Sequence, residues 1–509
     1  MDVTPPPAET LPGYTHQQIV RVVTGIMLCI FLASVDQTVV IPAVPAIAGD
    51  LGAFGHLAWI VTAYLLTSTA ATPIYGKVSD IYGRRALLLP ALALFIVASL
   101  ACGFSQTLPQ LIVARAFQGL GGAGLFAMAQ AAIADVVSPR ERGRYQGYMA
   151  SMWGVSSIAG PILGGWVTDH ASWRWIFWVN LPIGLVAMVL CNRGLKLIRH
   201  QRRLTTIDGW GAGLLVADVT AWLLLLSWGG VEFPWVSAPM VALGGAGVGL
   251  LAILVWHERR AADPILLPRL FGDGMFRRGV SIAFATSLGL FGATFLLPLY
   301  FQLVLGLDAS TSGLLVMPYL LCNVLGALVS GQTARRVGRT KGIVLAGLGG
   351  CVAGFLALAF LTGGASLWLV LPSTAVLGVG TGMTMPTVLM QVQNGAERRD
   401  VGAATGSLLF LRSMGGAFGS TVVGALLVGR FNAGLAEAGM TQAVDLGSLR
   451  SGAEGLSTLG LAGARAALSG GFQAAFGACA VVMLVALGVA WGMRDVTLRS
   501  SAPAQGLGH

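Results

Sequence analysis

Two charged side chains, Asp36 and Arg115, interrupt long apolar stretches of the sequence. An acid that is removed from water favours its protonated form, whereas an approaching cation favours the ionised form. An aspartate in such surroundings can therefore take up and release a proton as an arginine approaches it or moves away. Asp218 and Arg412 lie in similar stretches, and Asp135 lies at the end of one.

The composition explains why such charges are unusual here. Of the 509 residues, 55% are hydrophobic and 10% are charged, and the mean hydropathy is +0.77, whereas about 25% of residues in soluble proteins are charged. The apolar residues form long continuous blocks instead of short alternating segments, which indicates membrane-spanning helices and excludes a porin-type barrel. We count fourteen such blocks of roughly 20 residues, which predicts an all-α membrane protein.

The basic residues predict how the chain crosses the membrane. Most Lys and Arg residues fall in alternate loops, and short loops rich in these residues face the cytoplasm. Both termini are therefore predicted to be cytoplasmic. The +10 net charge reflects this topology and not nucleic-acid binding, for which no motif is present. The 71 glycines and the excess of arginine over lysine indicate a GC-rich bacterial genome, and hence the inner membrane.

Two internal alignments indicate a duplicated unit. Residues 116–143 align without gaps to 375–402, and 76–85 align to 331–340. A unit of six helices has thus been duplicated, as in many membrane transporters. The predicted parts are a tail (1–21), a first six-helix bundle (22–200), two inserted helices (201–260), a second six-helix bundle (261–495) with an external loop (429–469), and a second tail (496–509).

Several classes of function are excluded by the residues that the chain lacks. Its histidines lie in loops or tails, no metal-ligand spacing occurs, and its cysteines lie singly in apolar runs. No ATP-binding G-x-x-x-x-G-K-[ST] loop is present. We therefore expect no enzyme activity, no metal and no cofactor, and any energy must come from an ion gradient. "GLGGAG" (119–124) has the glycine spacing of a dinucleotide-binding loop but lacks a preceding strand, so close helix packing explains it better.

The segment "GKVSDIYGRR" (76–85) forms a short turn between two predicted helices. Its glycines give the backbone freedom to turn. Its aspartate can face a helix N-terminus or pair with a neighbouring arginine, and its arginines hold the turn at the cytoplasmic surface. A plain topology-determining loop is the simpler interpretation. The residues concerned are Gly76, Asp80, Gly83, Arg84 and Arg85.

The segment "GPILGGW" (160–166) places a proline and three glycines inside a predicted helix. Proline bends a helix, and glycine allows a second helix to approach closely. On these residues alone, ordinary packing and a gate are equally reasonable interpretations.

The motifs together resemble the major facilitator superfamily and, more narrowly, its fourteen-span drug:proton antiporters, the EmrB/QacA-type multidrug exporters. The turn at 76–85 resembles the superfamily loop motif, although Ile81 replaces a usual base. "RAFQGLGGAG" (115–124) and "GYMASMWGVSSIAGPILGG" (147–165) are similar to the fourth-span and antiporter motifs. "LASVDQTVVIPAVP" (32–45) and "WRWIFWVNLPIG" (173–184) are typical of the fourteen-span branch. The departures are Ile41, Ile81 and Ser156.

This resemblance implies a fold and an activity. The fold is the major facilitator fold, with two six-helix bundles and two extra central helices. The activity is proton-coupled efflux of drugs or other lipophilic small molecules by alternating access. A dedicated exporter of one metabolite, such as an antibiotic, siderophore, lipid or amino acid, is the alternative. The expected partners are a small-molecule substrate, protons and the lipid bilayer. The protein is expected to act as a monomer, to which an adaptor protein can bind. The residues of the antiporter motif are Gly147, Gly160, Pro161, Gly164 and Gly165.

The proton-coupling hypothesis rests on Asp36 and Arg115. A charged side chain near the bilayer centre costs about 2.5 to 3.5 kcal/mol, so each is expected to face a cavity or a partner. We expect Asp36 to be the main protonatable group and Arg115 to take part in the exchange. The alternatives are that Asp36 only caps or cross-links helices and that Arg115 only bridges backbone carbonyls. The candidate cavity residues are Thr38, Gln118, Asp218 and Arg412.

Two of these candidates have simpler interpretations. Asp218 lies in the inserted pair of helices, outside the duplicated unit, where a local helix contact explains it best. Arg412 either lines a central cavity or packs near the gate.

Overall fold

The computed structural model describes residues 16–51, 58–137, 141–196, 208–230, 232–307, 309–362, 367–397, 400–437 and 458–495. These residues are almost entirely helical, which confirms the all-α prediction. A helix bonds its backbone N–H and C=O groups internally, as the interior of a membrane requires. Both predicted tails lie outside the described residues, apart from 16–21, which are helical.

The first half of the molecule contains six long helices, the last of which is preceded by a short one. The boundary at Val179 divides the sixth apolar block of the sequence, predicted at 175–192, into two helices. The helices are α1 (His16–Leu51), α2 (Ala58–Tyr82), α3 (Arg84–Phe104), α4 (Leu108–Val136), α5 (Arg142–His170), α6 (Trp175–Trp178) and α7 (Asn180–Leu195).

A hairpin of two helices separates the halves, namely α8 (Gly209–Trp228) and α9 (Ala238–Glu258). The carboxylate of Asp208 caps α8 by accepting a hydrogen bond of 2.8 Å from the backbone N of Gly211. The second half contains the short α10 (Pro268–Gly272), then α11 (Gly274–Leu303), α12 (Ala309–Val337), α13 (Lys341–Leu361), α14 (Leu367–Gly395), α15 (Val401–Glu437) and α16 (Thr458–Trp491).

Twelve helices of the described residues are long and apolar enough to cross a membrane, so the chain is a multi-pass membrane protein. Helices α2 and α5, with 25 and 29 residues, fall outside this set although both are long. Their polar residues lower their hydropathy. The predicted count of fourteen spans therefore stays a prediction.

The two halves repeat one packing scheme, as the internal alignments predict. In the first half α4 packs against α2 and α3, and in the second half α14 packs against α12 and α13. The aligned glycines Gly119 and Gly378 each lie against the carbonyl oxygen of a tyrosine, Tyr64 and Tyr319. A side chain at either glycine would collide with that oxygen, so the repeated glycines set the close approach of the helices.

The most extensive contacts between the described parts of the two halves are those of α2 with α15 and of α5 with α12. The hairpin packs on the first of these pairs. Leu215 and Val219 of α8 share an apolar cluster with Ala70 of α2 and with Phe410 and Met414 of α15. The inserted helices therefore lie beside the α2–α15 contact, outside the repeated six-helix units.

The predicted external loop (429–469) is helical at both ends. Helix α15 continues to Glu437 and α16 begins at Thr458, so only 438–457 lie outside the described residues. Polar residues such as Arg430 and Glu437 end the apolar block in the sequence, but they do not end the helix.

Candidate functional site

A buried ion pair joins α1 to α4. Nη1 of Arg115 lies 2.7 Å from Oδ2 of Asp36, and the two side chains are 1% and 0% exposed. The residues are 79 positions apart in the sequence. Because an unpaired charge at this depth is costly, each side chain supplies the charge that the other needs.

Two amides complete the surroundings of the Asp36 carboxylate. Its Oδ1 accepts hydrogen bonds of 2.8 Å from Nε2 of Gln118 on α4 and from Nδ2 of Asn180 on α7. Asn180 also donates to Oγ of Ser99 on α3, at 3.0 Å. Since the three partners of Asp36 are all donors, this arrangement satisfies the ionised carboxylate.

The guanidinium of Arg115 is enclosed on its remaining sides. Its Nε donates to the carbonyl oxygen of Ile60 at 3.2 Å, and its Nη1 also donates to Oε1 of Gln118 at 2.8 Å. Its central carbon lies 4.5 Å from the ring centre of Tyr64 and 5.8 Å from that of Phe177. The aromatic rings stabilise the cation and keep water away from the ion pair.

Among the residues that the structure describes, the second half has no equivalent buried ion pair. Extending the internal alignment by one residue places Arg115 on Thr374, which is buried and donates to the carbonyl oxygen of Leu371 at 2.8 Å. Proton exchange at membrane depth therefore has a candidate site in the first half, where one acid touches α1, α4 and α7 together.

Sequence reasoning identified Asp36, Arg115 and Gln118 but not Asn180 or Ser99. Asn180 lies within "WRWIFWVNLPIG" (173–184), where it interrupts an apolar run. That interruption was the available signal, because a buried amide needs hydrogen-bond partners.

A second candidate site lies at the end of the bundle where α2 turns into α3, here named the α2–α3 end. Asp80 accepts hydrogen bonds from the backbone N of Gly402 at 3.0 Å and of Ala403 at 2.8 Å. These groups belong to the first turn of α15, so a carboxylate of the first half caps a helix of the second half. Gly76 lies against the carbonyl of Gly402, which allows the two helices to approach closely.

The arginines of the same turn have different partners. Arg84 bridges Asp80, at 2.7 Å, and Asp135 of α4, at 2.8 Å, and it also donates to Ser79. Arg85 donates to Oδ1 of Asn192 on α7 at 2.7 Å, within the first half. Gly83 has φ of 92° and precedes α3, a conformation that favours glycine. Within the described residues, Asp80 is thus the only one of the predicted loop residues that forms a hydrogen bond to the second half.

The glycines of the predicted antiporter motif let α5 approach other helices. Gly160 and Gly164 lie against Thr38 and Val39 of α1, and Gly147 lies against Leu328 of α12. Oγ1 of Thr38 donates to the carbonyl of Ser156 on α5 at 2.9 Å, so Thr38 joins α1 to α5. The other two motif residues are Pro161, which lies inside α5 on an exposed face, and Gly165.

Gly164 and Gly165 provide a matched pair of substitutions. A Cβ at Gly164 would collide with the carbonyl of Val39, whereas a Cβ at Gly165 has nothing within 4 Å. We expect Gly164→Ala to destabilise the protein by about 1 to 3 kcal/mol and to reduce transport, and Gly165→Ala to change neither. Thermal unfolding of the purified variants and transport by cells that express them measure both effects. Equal behaviour of the two variants would contradict the packing role.

The structure places the remaining two predicted site residues on different helices. Asp218 lies on α8, 4% exposed, and its Oδ1 has no hydrogen-bond partner among the described residues. Arg412 lies on α15 and is partly exposed. No group of three or more His, Cys, Asp or Glu side chains of the described residues is placed to hold a metal ion.

Comparisons with known proteins extend these observations. Residues 26–420 match the family described as Major Facilitator Superfamily. The multidrug transporter protein MdtP of Bacillus subtilis (strain 168) is 34% identical over 409 residues, which cover 80% of this chain and 75% of that protein. Efflux pump FUS6 of Gibberella moniliformis (strain M3125 / FGSC 7600) is 33% identical over 426 residues, covering 80% of this chain and 74% of that protein.

A solved structure shares the fold at low sequence identity. The proton:xylose symporter XylE superposes with a TM-score of 0.65 and 14% identity, over 95% of this chain and 98% of that chain. The repeated helix packing of the two halves, the family match and relatives that include multidrug transporters and efflux pumps agree. This multi-pass membrane protein is a transporter of small molecules and not an enzyme, and the chain belongs to the major facilitator superfamily.

Proposed function

We propose that the protein exports lipophilic small molecules, drugs among them, from the bacterial cytoplasm in exchange for protons. The observation that carries this proposal is the buried pair of Asp36 and Arg115. A titratable acid with a buried cation partner is rare at membrane depth and marks proton pathways in transporters. The names of the relatives MdtP and FUS6, a multidrug transporter and an efflux pump, support the direction of transport.

The exchange follows from competition for the Asp36 carboxylate. A proton that reaches Asp36 from outside removes the negative charge that Arg115 needs, which favours a different packing of α1, α4 and α7 and release of the substrate. Loss of the proton to the cytoplasm restores the ion pair and prepares the protein for the next substrate. The two halves rock about the site, as alternating access requires.

We further propose that α2 and α5 also cross the membrane, which gives fourteen spans with both termini in the cytoplasm. Each helix packs along spanning helices, α2 on α4 and α5 on α1. With 25 and 29 residues, each exceeds the roughly 20 residues that a bilayer needs. The α2–α3 end is then cytoplasmic and the bacterial inner membrane is the location, with the chain acting as a monomer.

Export from cells tests the proposed function. Cells that express the protein are loaded with a panel of chemically diverse fluorescent compounds, with and without an uncoupler, beside cells that carry the empty vector. We expect lower accumulation of several compounds than in the vector control, and we expect the uncoupler to abolish the difference. Export that persists after the proton gradient is removed would refute proton coupling. Uptake in place of export would refute the direction.

A further inference from the structure

Arg412 lies on the inward face of α15. Its neighbours one turn away in each direction, Leu408 and Gly416, are buried, so this face does not point towards lipid. A Cβ at Gly416 would lie 2.7 Å from the ring of Phe291 on α11. Two turns before Arg412, Thr405 accepts a hydrogen bond of 3.1 Å from Gln393 of α14. Arg412 therefore lies on the strip of α15 that faces α11 and α14.

The same strip leads to the contact between the halves. Nε2 of Gln393 also lies 3.4 Å from the carbonyl oxygen of Gln130 on α4, in the first half. Arg412 lies about 10 Å further along α15 than Thr405, at 1.5 Å per residue. Its partial exposure therefore arises within the bundle, level with the α2–α15 contact at Ala70, Phe410 and Met414.

Arg412 has no counter-ion among the described residues, in which it makes no hydrogen bond or ion pair. The acids of the described second half lie in loops or at the ends of helices: Asp263, Asp273, Glu397, Asp400, Glu437 and Asp495. Arg115 differs from Arg412 in this respect, since its guanidinium has Asp36, Gln118 and a backbone carbonyl as partners.

The buried acid of α8, Asp218, packs on a different side of α15 from Arg412. Asp218 lies on α8 next to Val219, and the α8 cluster meets α15 at Phe410 and Met414. These two residues flank Arg412 by two positions on either side, which places them on another side of the helix at 3.6 residues per turn. The pair of Asp36 and Arg115 is neutral as a whole, so Arg412 leaves an uncompensated positive charge in the interior.

We propose that Arg412 binds an acidic group of the substrate, such as a carboxylate, a sulfonate or a phosphate. A planar guanidinium donates two parallel hydrogen bonds to such a group, and the ligand then supplies the charge that the protein does not. The inference rests on the proposed export function and narrows its substrates to lipophilic compounds that carry an anionic group. Arg412 acts as a binding residue, separate from the proton site at Asp36.

Direct binding tests this assignment without any transport step. The purified protein in nanodiscs of phosphatidylcholine is titrated with two dyes that share the xanthene ring, an anionic fluorescein and a cationic rhodamine ester, and fluorescence anisotropy is measured. We expect Arg412→Gln to weaken fluorescein binding roughly 10- to 100-fold, as for loss of hydrogen bonds to a charged group, and to leave rhodamine binding unchanged. Arg412→Lys should retain part of the fluorescein affinity. Arg430→Gln, at an exposed arginine of the same helix, is the matched control and should bind both dyes as the wild type does.

The outcomes separate this inference from the proposed function. Equal loss of both dyes in Arg412→Gln, or wild-type protein that binds fluorescein no better than that variant does, overturns the assignment. If binding depends on the charge of the dye but cells export no compound, the role of Arg412 in anion binding is supported and only the proposed export function is refuted. Adding phosphatidylglycerol to the nanodiscs identifies the source of the anion: fluorescein affinity stays constant if Arg412 binds a free acidic compound, and it falls if a lipid headgroup competes for the site.

Discussion

Asp36→Asn is expected to reduce proton-coupled export to the level of the empty vector. The amide has nearly the size of the carboxylate but cannot exchange a proton, and it leaves the buried guanidinium of Arg115 without a counter-charge. Removing one partner of a buried ion pair costs about 3 to 5 kcal/mol of stability. Export of a fluorescent compound and its coupling to proton entry are measured in everted vesicles, and the unfolding temperature of the purified variant is measured beside them.

The double variant Asp36→Asn, Arg115→Gln separates chemistry from stability. It removes both charges of the pair, so neither is left without its counter-charge, and neutral replacement of a buried pair is often tolerated. We expect stability close to that of the wild type and export that stays at background. Export restored together with stability would show that the pair only cross-links α1 and α4.

Asp50→Asn is the matched control on the same helix. Asp50 pairs with Arg174 at 2.6 Å, but the two side chains are 47% and 27% exposed, and such exposed pairs contribute about 0 to 1 kcal/mol. We expect this variant to export as the wild type does. A loss equal to that of Asp36→Asn would mean that any charge lost from α1 disables the protein.

The charged part of the candidate site could be predicted from the sequence because charges are rare in apolar helices. Asp36 and Arg115 were recognisable on that ground alone. Their pairing was a hypothesis, because no periodicity connects positions 79 residues apart on different helices. Asn180 and Ser99 were missed because amides and hydroxyls occur often in membrane helices, and only the packed structure shows which of them meet a charge.

The equivalent packing of α4 and α14 was also predictable, because aligned glycines mark equivalent helix contacts. Gly119 and Gly378 perform the same packing role in the two halves. The sequence did not predict at which end of the bundle the two halves are in contact. The same pattern of apolar residues is compatible with contact at either end. The length of α15 was underestimated because a helix that leaves the membrane needs no apolar residues to continue.

Asp80→Asn is expected to open the α2–α3 end. In the structure this end is closed by the Asp80 carboxylate, which accepts two backbone hydrogen bonds from the first turn of α15 and pairs with Arg84. An amide can accept but also presents N–H groups to these donors, and it loses the favourable interaction of a charge with the helix N-terminus. Arg84 keeps Asp135 as its partner, so the first half should remain folded while its contact with the second half weakens.

The size of this shift can be measured as a distance. Loss of hydrogen bonds to a charged group destabilises the closed state by about 1.5 to 3 kcal/mol. This lowers the ratio of closed to open molecules by roughly 10- to 100-fold. Spin labels at Tyr82 of α2 and Val337 of α12, exposed ends of the two halves, should give a longer distance in Asp80→Asn than in the wild type. Export should fall as well.

Arg339→Gln provides the comparison at the equivalent turn of the second half. It removes an exposed ion pair with Asp495 at 3.5 Å that lies within one half, so the distance between the labels should not change. If Asp80→Asn leaves that distance unchanged as well, then the cap on α15 does not hold the halves together. The lowered export would in that case have to come from a change inside the first half, where Arg84 and Asp135 lie.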